Sequence, residues 1–407
     1  MVPEGWKRVP LDTVAEIRTG VAKGKSGLKD PISVPYLRVA NVQDGRLDLR
    51  EVKTIEIERS QLERYSLKKG DVLMNEGGDF DKLGRGDVWN AQIEICLHQN
   101  HVFAVRPNQD LINPYFLAAL TGSHYGKSFF LSCAKKSTNL ASINSSQLKE
   151  FQVLIPPLTE QNKICNILSI WNKAITTTEQ LLTNSRRQKQ ALMQQLLTGK
   201  KRLSGFHKDW IELRLEQLFS RVTTKNTEAH PNVVTISAQQ GLIRQDEFFN
   251  KTVSSKTLDN YFLLKKGQFA YNKSYSNGYP MGAIKRLTKY EKGVVTTLYI
   301  CFEAKDEGIC NPEFFEHYFE AGLLNQGLSK VANEGGRAHG LLNVKPSDFF
   351  SLKAFVPDVA EQKAIATILD TADREILTIQ AKLACLKDEK KALMQQILTG
   401  KRRVKIG

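Results

Sequence analysis

Apolar residues return in alternating steps of three and four along two stretches of this chain. In the first they fall at Ile164, Leu168, Trp171, Ile175, Leu182, Leu192 and Leu196, with Thr178, Ser185 and Lys189 in the gaps. In the second they fall at Ile365, Leu369, Ala372, Ile376, Ile379, Leu383, Leu386, Leu393 and Ile397, with Lys390 as the polar member. Such a seam, kept over several heptads, predicts two long helices of coiled-coil type. Some forty residues at ~1.5 Å rise make each ~60 Å long. Asp358 followed by Glu361 resembles a capping box, and Gly199 and Gly400 suit the residue just past a helix end. Two matching seams satisfy one another most simply by pairing within the chain, and antiparallel pairing would carry the segments in front of each helix to opposite ends of a rod. The alternative is two separate surface helices, each lying on its own domain. Polar seam residues cost stability but fix register.

Ahead of each helix the pattern changes. VPYLRVANV (34–42), GDVLMN (70–75), HVFAVRP (101–107) and VVTTLYICFEA (294–304) are β-branched or aromatic runs bounded by Gly, Pro or Asp, and they predict strands. NPYFLAALTGS (113–123) and NPEFFEHYFEAGLLNQGL (311–328) predict helices between them. The fold class is therefore α+β: a mixed domain at 1–155, a long helix at 156–203, a second mixed domain at 204–356, and a second long helix with a basic tail at 357–407.

The two halves are copies. KQALMQQLLTGKKRL, from Lys189, recurs as KKALMQQILTGKRRV, from Lys390, with four differences. The same shift carries Glu160–Gln161 onto Glu361–Gln362, Pro156 onto Pro357 and Leu140 onto Leu341. Nearer the start of each half the match is looser. SLKKGDVLMN (66–75) answers LLKKGQFAYN (263–272), NPYF at Asn113 answers NPEFF at Asn311, and Trp6 answers Trp210. A unit of this length is a duplicated domain, not a solenoid repeat.

Charge adds a partner to this picture. Lys and Arg number 58 against 43 Asp and Glu, a formal net charge of +15, which favours a polyanion and nucleic acid above all. Two segments in each front have the chemistry to meet one. The first is a glycine-rich loop, NEGGDFDKLGRGD (75–87) or NKSYSNGYPMG (272–282), where Lys82, Arg85, Lys273, Ser274 and Tyr275 offer donors and a stacking face. The second is the polar stretch before each helix, with Lys135, Lys136 and Asn139 in one half and Arg337 and His339 in the other. Each has a plainer reading as a flexible turn or a solvated linker.

Catalytic chemistry is not legible. GVAKGKSG (20–27) has its glycines one residue too close for a phosphate loop. No GxSxG, HExxH or dinucleotide fingerprint occurs, and seven His and six Cys are scattered without metal-ligand spacing. The cysteines suit a reducing cytoplasm, and no apolar run reaches membrane-span length, so a soluble cytoplasmic protein without metal or cofactor of its own is expected.

IPPLTEQNKICNIL with QALMQQLLTGKKRL, and VPDVAEQKAIATIL with KALMQQILTGKRRV, resemble the specificity subunits of type I restriction-modification systems. The resemblance spans essentially the whole chain; Asp358, where the first copy has Pro157, is a small departure at the helix entry. It implies two target-recognition domains that each read half of a bipartite, asymmetric site in double-stranded DNA. It also implies that the paired helices set the spacer and dock two methyltransferase subunits, joined by motor-nuclease subunits, with S-adenosylmethionine, ATP and Mg on those partners. The competing readings are a lone nuclease with a cryptic site and a coiled-coil adaptor that touches no DNA.

Overall fold

A computed structural model of the chain describes residues 2–23, 27–80, 83–136, 140–249, 258–334 and 342–405. The chain divides into two compact units, Met1–Glu179 with Ala381–Gly407, and Gln180–Gln380. Each unit thus takes a front, the start of that front's own long helix, and the end of the other long helix. The helices run unbroken over Leu158–Leu196 and Val359–Ile397.

The first unit is built on a four-stranded antiparallel sheet in the order Ala15–Thr19, Val102–Pro107, Val72–Asn75, Gly86–Val88. The second unit repeats it as Phe219–Val222, Ile300–Ala304, Phe269–Asn272, Ala283–Arg286. The first strand of each front, Lys7–Pro10 or Ile211–Arg214, pairs antiparallel with its last, Gln152–Ile155 or Lys353–Val356, so each front closes on itself just before its helix begins. Two sequence expectations are refined. The run 294–304 is two strands, Lys292–Val295 and Ile300–Ala304, in different sheets, because the chain turns between them with Tyr299 N–H on the Thr296 carbonyl. The helix expected over 311–328 breaks after Glu320, where Gly322 takes a positive φ of 69°, and resumes at Asn325.

Within each unit the two helix pieces run antiparallel. In the first, Ile164 and Leu168 share a core with Leu393, Met394, Ile397 and Leu398, together with Phe116, Phe130 and Phe151 from the front. In the second, Met193, Leu196 and Leu197 share one with Ile365, Ala366 and Leu369. Every predicted seam side chain is at least half-buried. Ile164, Leu168, Leu182, Leu196, Ile365, Leu369, Ile379 and Ile397 are fully so, and Trp171, Ile175, Leu192, Ile376, Leu383, Leu386 and Leu393 partly.

The repeated Glu-Gln pair locks each helix to its front. Glu160 is fully buried and accepts both Nε and Nη2 of Arg403 at 2.7 Å and Trp6 Nε1 at 3.1 Å. Glu361 does the same for Arg202 at 2.8 and 2.7 Å and Trp210 at 3.2 Å. Gln161 accepts from Asn113 N–H at 2.7 Å and donates to the carbonyls of Leu111 and Pro156 at 3.0 and 2.9 Å. Gln362 repeats this with Asn311, Ile309 and Pro357. Asp358 caps its helix by accepting Glu361 N–H at 3.0 Å, but the Glu361 carboxylate turns inward to Arg202 instead of completing a box. The arginines arrive from just beyond the other helix, past Gly199 and Gly400, which turn the chain at φ 69° and 68°. At Gly400 a Cβ would fall 2.3 Å from Pro3, so only glycine fits.

Candidate nucleic-acid interface

The two segments singled out in each front form one edge. In the first unit the glycine-rich loop leaves the sheet at Asn75, whose buried side-chain Nδ2 donates to the Val42 carbonyl at 2.9 Å. Asn75 N–H donates to Arg85 O at 3.0 Å and Gly84 N–H returns to Asn75 O at 3.2 Å, tying the base of the loop. Inside it, strand Gly77–Gly78 pairs with Ala141–Ser142, which pairs in turn with Lys135–Lys136. A Cβ on Gly77 would lie 2.9 Å from the Ala141 carbonyl, so the close approach of loop and pre-helix segment requires glycine there.

The second unit joins the same two segments with different residues. Leu342 N–H donates to the Lys273 carbonyl at 2.9 Å, and Lys273 Nζ lies 3.5 Å from Val344 O. Asn272, the counterpart of Asn75, accepts Ser274 N–H at 3.1 Å. A tight turn follows, Ser276 and Tyr279 exchanging backbone bonds across Gly278 at φ 84°.

The candidate contacts present differently. Lys135 is exposed, while Arg85 is half-buried, with its Nε enclosed and without a hydrogen-bond partner among the described residues. A guanidinium with an orphan donor still needs an acceptor. Lys273 is half-buried with no carboxylate partner among the described residues, and loss of water holds its ammonium below the ordinary lysine value. Ser274 is half-buried and Tyr275 is 63% exposed. Lys82, Asn139, Arg337, His339 and the side chain of Lys136 lie outside the described residues.

The profile of the family described as "Type I restriction modification DNA specificity domain" matches residues 3–184. The chain is 26% identical to the chain named as the MjaX type I restriction enzyme specificity subunit of Methanocaldococcus jannaschii, over 99% of this chain and 95% of that one. The S subunit of a type I restriction-modification system from M. genitalium superposes with a TM-score of 0.54 at 12% identity, covering 100% of this chain and 97% of that one. A chain solved in work on complex assembly and conformational transition of the type I R-M system gives 0.58 at 14%, covering 98% of each. Residues 3–184 thus match the type I restriction-modification DNA specificity domain, and the whole chain is similar in sequence to type I specificity subunits.

The two copies also differ beside the helices. In the second unit, Lys189 Nζ sits 2.6 Å from both Asp373 oxygens, and the buried His317 Nε2 is 2.8 Å from Asp370. In the first unit the corresponding positions are Lys390, Asn172, Ala119 and Ser169, which line a groove of about 840 Å³. Across it Asp87 and Lys390 face one another without an ion pair; burial pushes the carboxyl up and the ammonium down. The repeat predicts a shared seam, but nothing in it signals that one copy fills this space and the other leaves it open. Among the described residues no group of three or more His, Cys, Asp or Glu could hold a metal ion, and no helix is long and apolar enough to cross a membrane.

Proposed function

We propose that this chain is a type I specificity subunit that selects a bipartite, asymmetric site in double-stranded DNA, one half-site per front. The observation that carries the reading is the doubly built edge, a glycine-rich loop stitched to a pre-helix strand, with the same join in both units and different side chains in each. Lys135, Arg85, Lys273, Ser274 and Tyr275 are its contacts in the described residues, and Lys82, Lys136, Asn139, Arg337 and His339 complete it. The paired helices set the spacer and dock two methyltransferase subunits and the motor-nuclease subunits. S-adenosylmethionine, ATP and Mg bind those partners, the chain has no catalysis of its own, and it works in the cytoplasm.

Unlike side chains read unlike bases, so methylome sequencing of cells carrying the complex should yield a two-part motif whose halves are not each other's complement. A palindromic motif assigned to this subunit would refute the reading. Lys273→Ala and Arg85→Ala separate the kinds of contact. Loss of a phosphate contact weakens binding to all duplexes alike and lowers the salt slope by about one. Loss of a base contact costs ~1–3 kcal/mol on the motif alone and relaxes one of its positions. Unchanged affinity and salt slope in the double variant would reduce both loops to plain turns.

A further inference from the structure

One ring projects from each reading loop: Phe80 is 40% exposed and Tyr275 is 63% exposed. The loops share almost no sequence, and counted from Asn75 and Asn272 the two rings fall at different distances. Counted from the strand that each loop meets, they coincide. In the first unit Ala141 faces Gly78, and Phe80 lies two residues further on. In the second, Leu342 bonds to Lys273, and Tyr275 lies two residues further on. Ala141 and Leu342 are counterparts, related by the shift that carries Leu140 onto Leu341. The duplication therefore keeps an exposed aromatic at one topological point while nearly everything around it changes.

The neighbours sharpen the contrast. Tyr279, four residues after Tyr275, is tethered: its hydroxyl bonds to Glu320, and Lys285 Nζ lies 4.7 Å from its ring centre. Tyr275 makes no side-chain hydrogen bond among the described residues and stays mostly in water. Cationic side chains stand on the same edges, Lys135 and Arg85 in one unit and Lys273 in the other, suited to hold a phosphate backbone against the ring.

We propose that Phe80 and Tyr275 are wedges that enter the base stack, one at each half-site. A ring placed between bases buries both faces and kinks the duplex at that step, which lets more protein surface meet it. The proposal rests on the DNA-reading role above. The test uses the full chain in complex with its methyltransferase subunits, and a duplex bearing the motif methylated in the source strain, with 5-iodopyrimidines placed singly through each half-site. Irradiation should link Phe80 to one half-site and Tyr275 to the other. Phe80→Ala and Tyr275→Ala should each lose about tenfold to a hundredfold in affinity for the motif with the salt slope unchanged, whereas Phe80→Tyr and Tyr275→Phe retain it. Alanine variants at full affinity, with adducts on other residues, overturn the proposal and leave DNA reading intact. So does a loss that is reproduced by replacing one thymine with deoxyuridine, which assigns the ring to a methyl group in the groove. If the unmodified complex binds no motif, wedge and reading role fall together.

Discussion

Gln362→Ala is expected to destabilise the second unit by about 3 kcal/mol while leaving the first unit as it was. The amide is fully buried and makes three bonds: it accepts Asn311 N–H at 2.8 Å and donates to Ile309 O at 3.0 Å and Pro357 O at 2.9 Å. Truncation strands one backbone donor and weakens two acceptors where water has no ready access, at roughly 1–3 kcal/mol for each group left unsatisfied. In a domain of this size, about 3 kcal/mol corresponds to ~6–12 °C in Tm. Gln362→Glu, the isosteric change, should be no milder, because it turns an oxygen toward two carbonyl oxygens. Gln161→Ala should reproduce the effect in the first unit, where the same three bonds recur. Hydrogen exchange resolved along the chain, in a urea series, reads the two units separately and avoids treating the protein as one cooperative block. If exchange protection in the second unit survives Gln362→Ala unchanged, the amide is not the lock described here.

What the chain made legible beforehand follows from where the information lies. The long helices announce themselves because a seam is a local pattern, and because it occurs twice. The Glu-Gln pair is visible as a repeat, yet its purpose is not. The meaning of Glu160 depends on Trp6 and Arg403, which enter from the two ends of the chain. In the sequence Arg202 passes as the end of the first long helix and Arg403 as part of a basic tail, when each is the counter-ion of a buried carboxylate. The recurrence of Trp6 as Trp210, and of the basic cluster after Gly199 as the one after Gly400, is the sequence signal that joins them.

The interface was half legible for a related reason. Glycine-rich loop and pre-helix segment each stand out by composition, but only strand register shows that they form one edge. Phe80 does not stand out in the sequence because a lone aromatic in a loop carries no pattern; its match to Tyr275 exists only once both are measured from the facing strand. The contrast between the His317–Asp370 and Lys189–Asp373 contacts and the open groove of the first unit is equally hidden. It turns on which helix face Asn172 and Asp373 occupy, and a change of one polar residue for another looks neutral in a sequence.

Acid should weaken the first unit through a single buried imidazole. His98 is 2% exposed and its Nδ1 lies 2.6 Å from the Val102 carbonyl, so the neutral ring carries its proton on Nδ1 and donates there. Burial strips water from the charged form and lowers its pKa to about 4, with the nearby Arg18 and Arg106 acting in the same direction. In the unfolded chain the ring titrates near its ordinary value of about 6.5. Above that pH both states are neutral and the histidine imposes no pH dependence. Between about 6.5 and about 4 the unfolded chain takes up a proton that the folded unit refuses, so stability falls as pH falls, by ~1.4 kcal/mol per unit. The full span amounts to about 3 kcal/mol, reached once the folded ring also begins to protonate. His98→Gln keeps a donor for the Val102 carbonyl and removes the titration. Urea unfolding of the first unit, followed by hydrogen exchange at pH 7 and pH 4.5, should show a steep loss for the unmodified chain and a shallow one for the variant. Other groups contribute equally to both and cancel in the difference. Parallel losses in the two proteins would mean that His98 is already charged in the folded unit, and that the enclosure around it admits water.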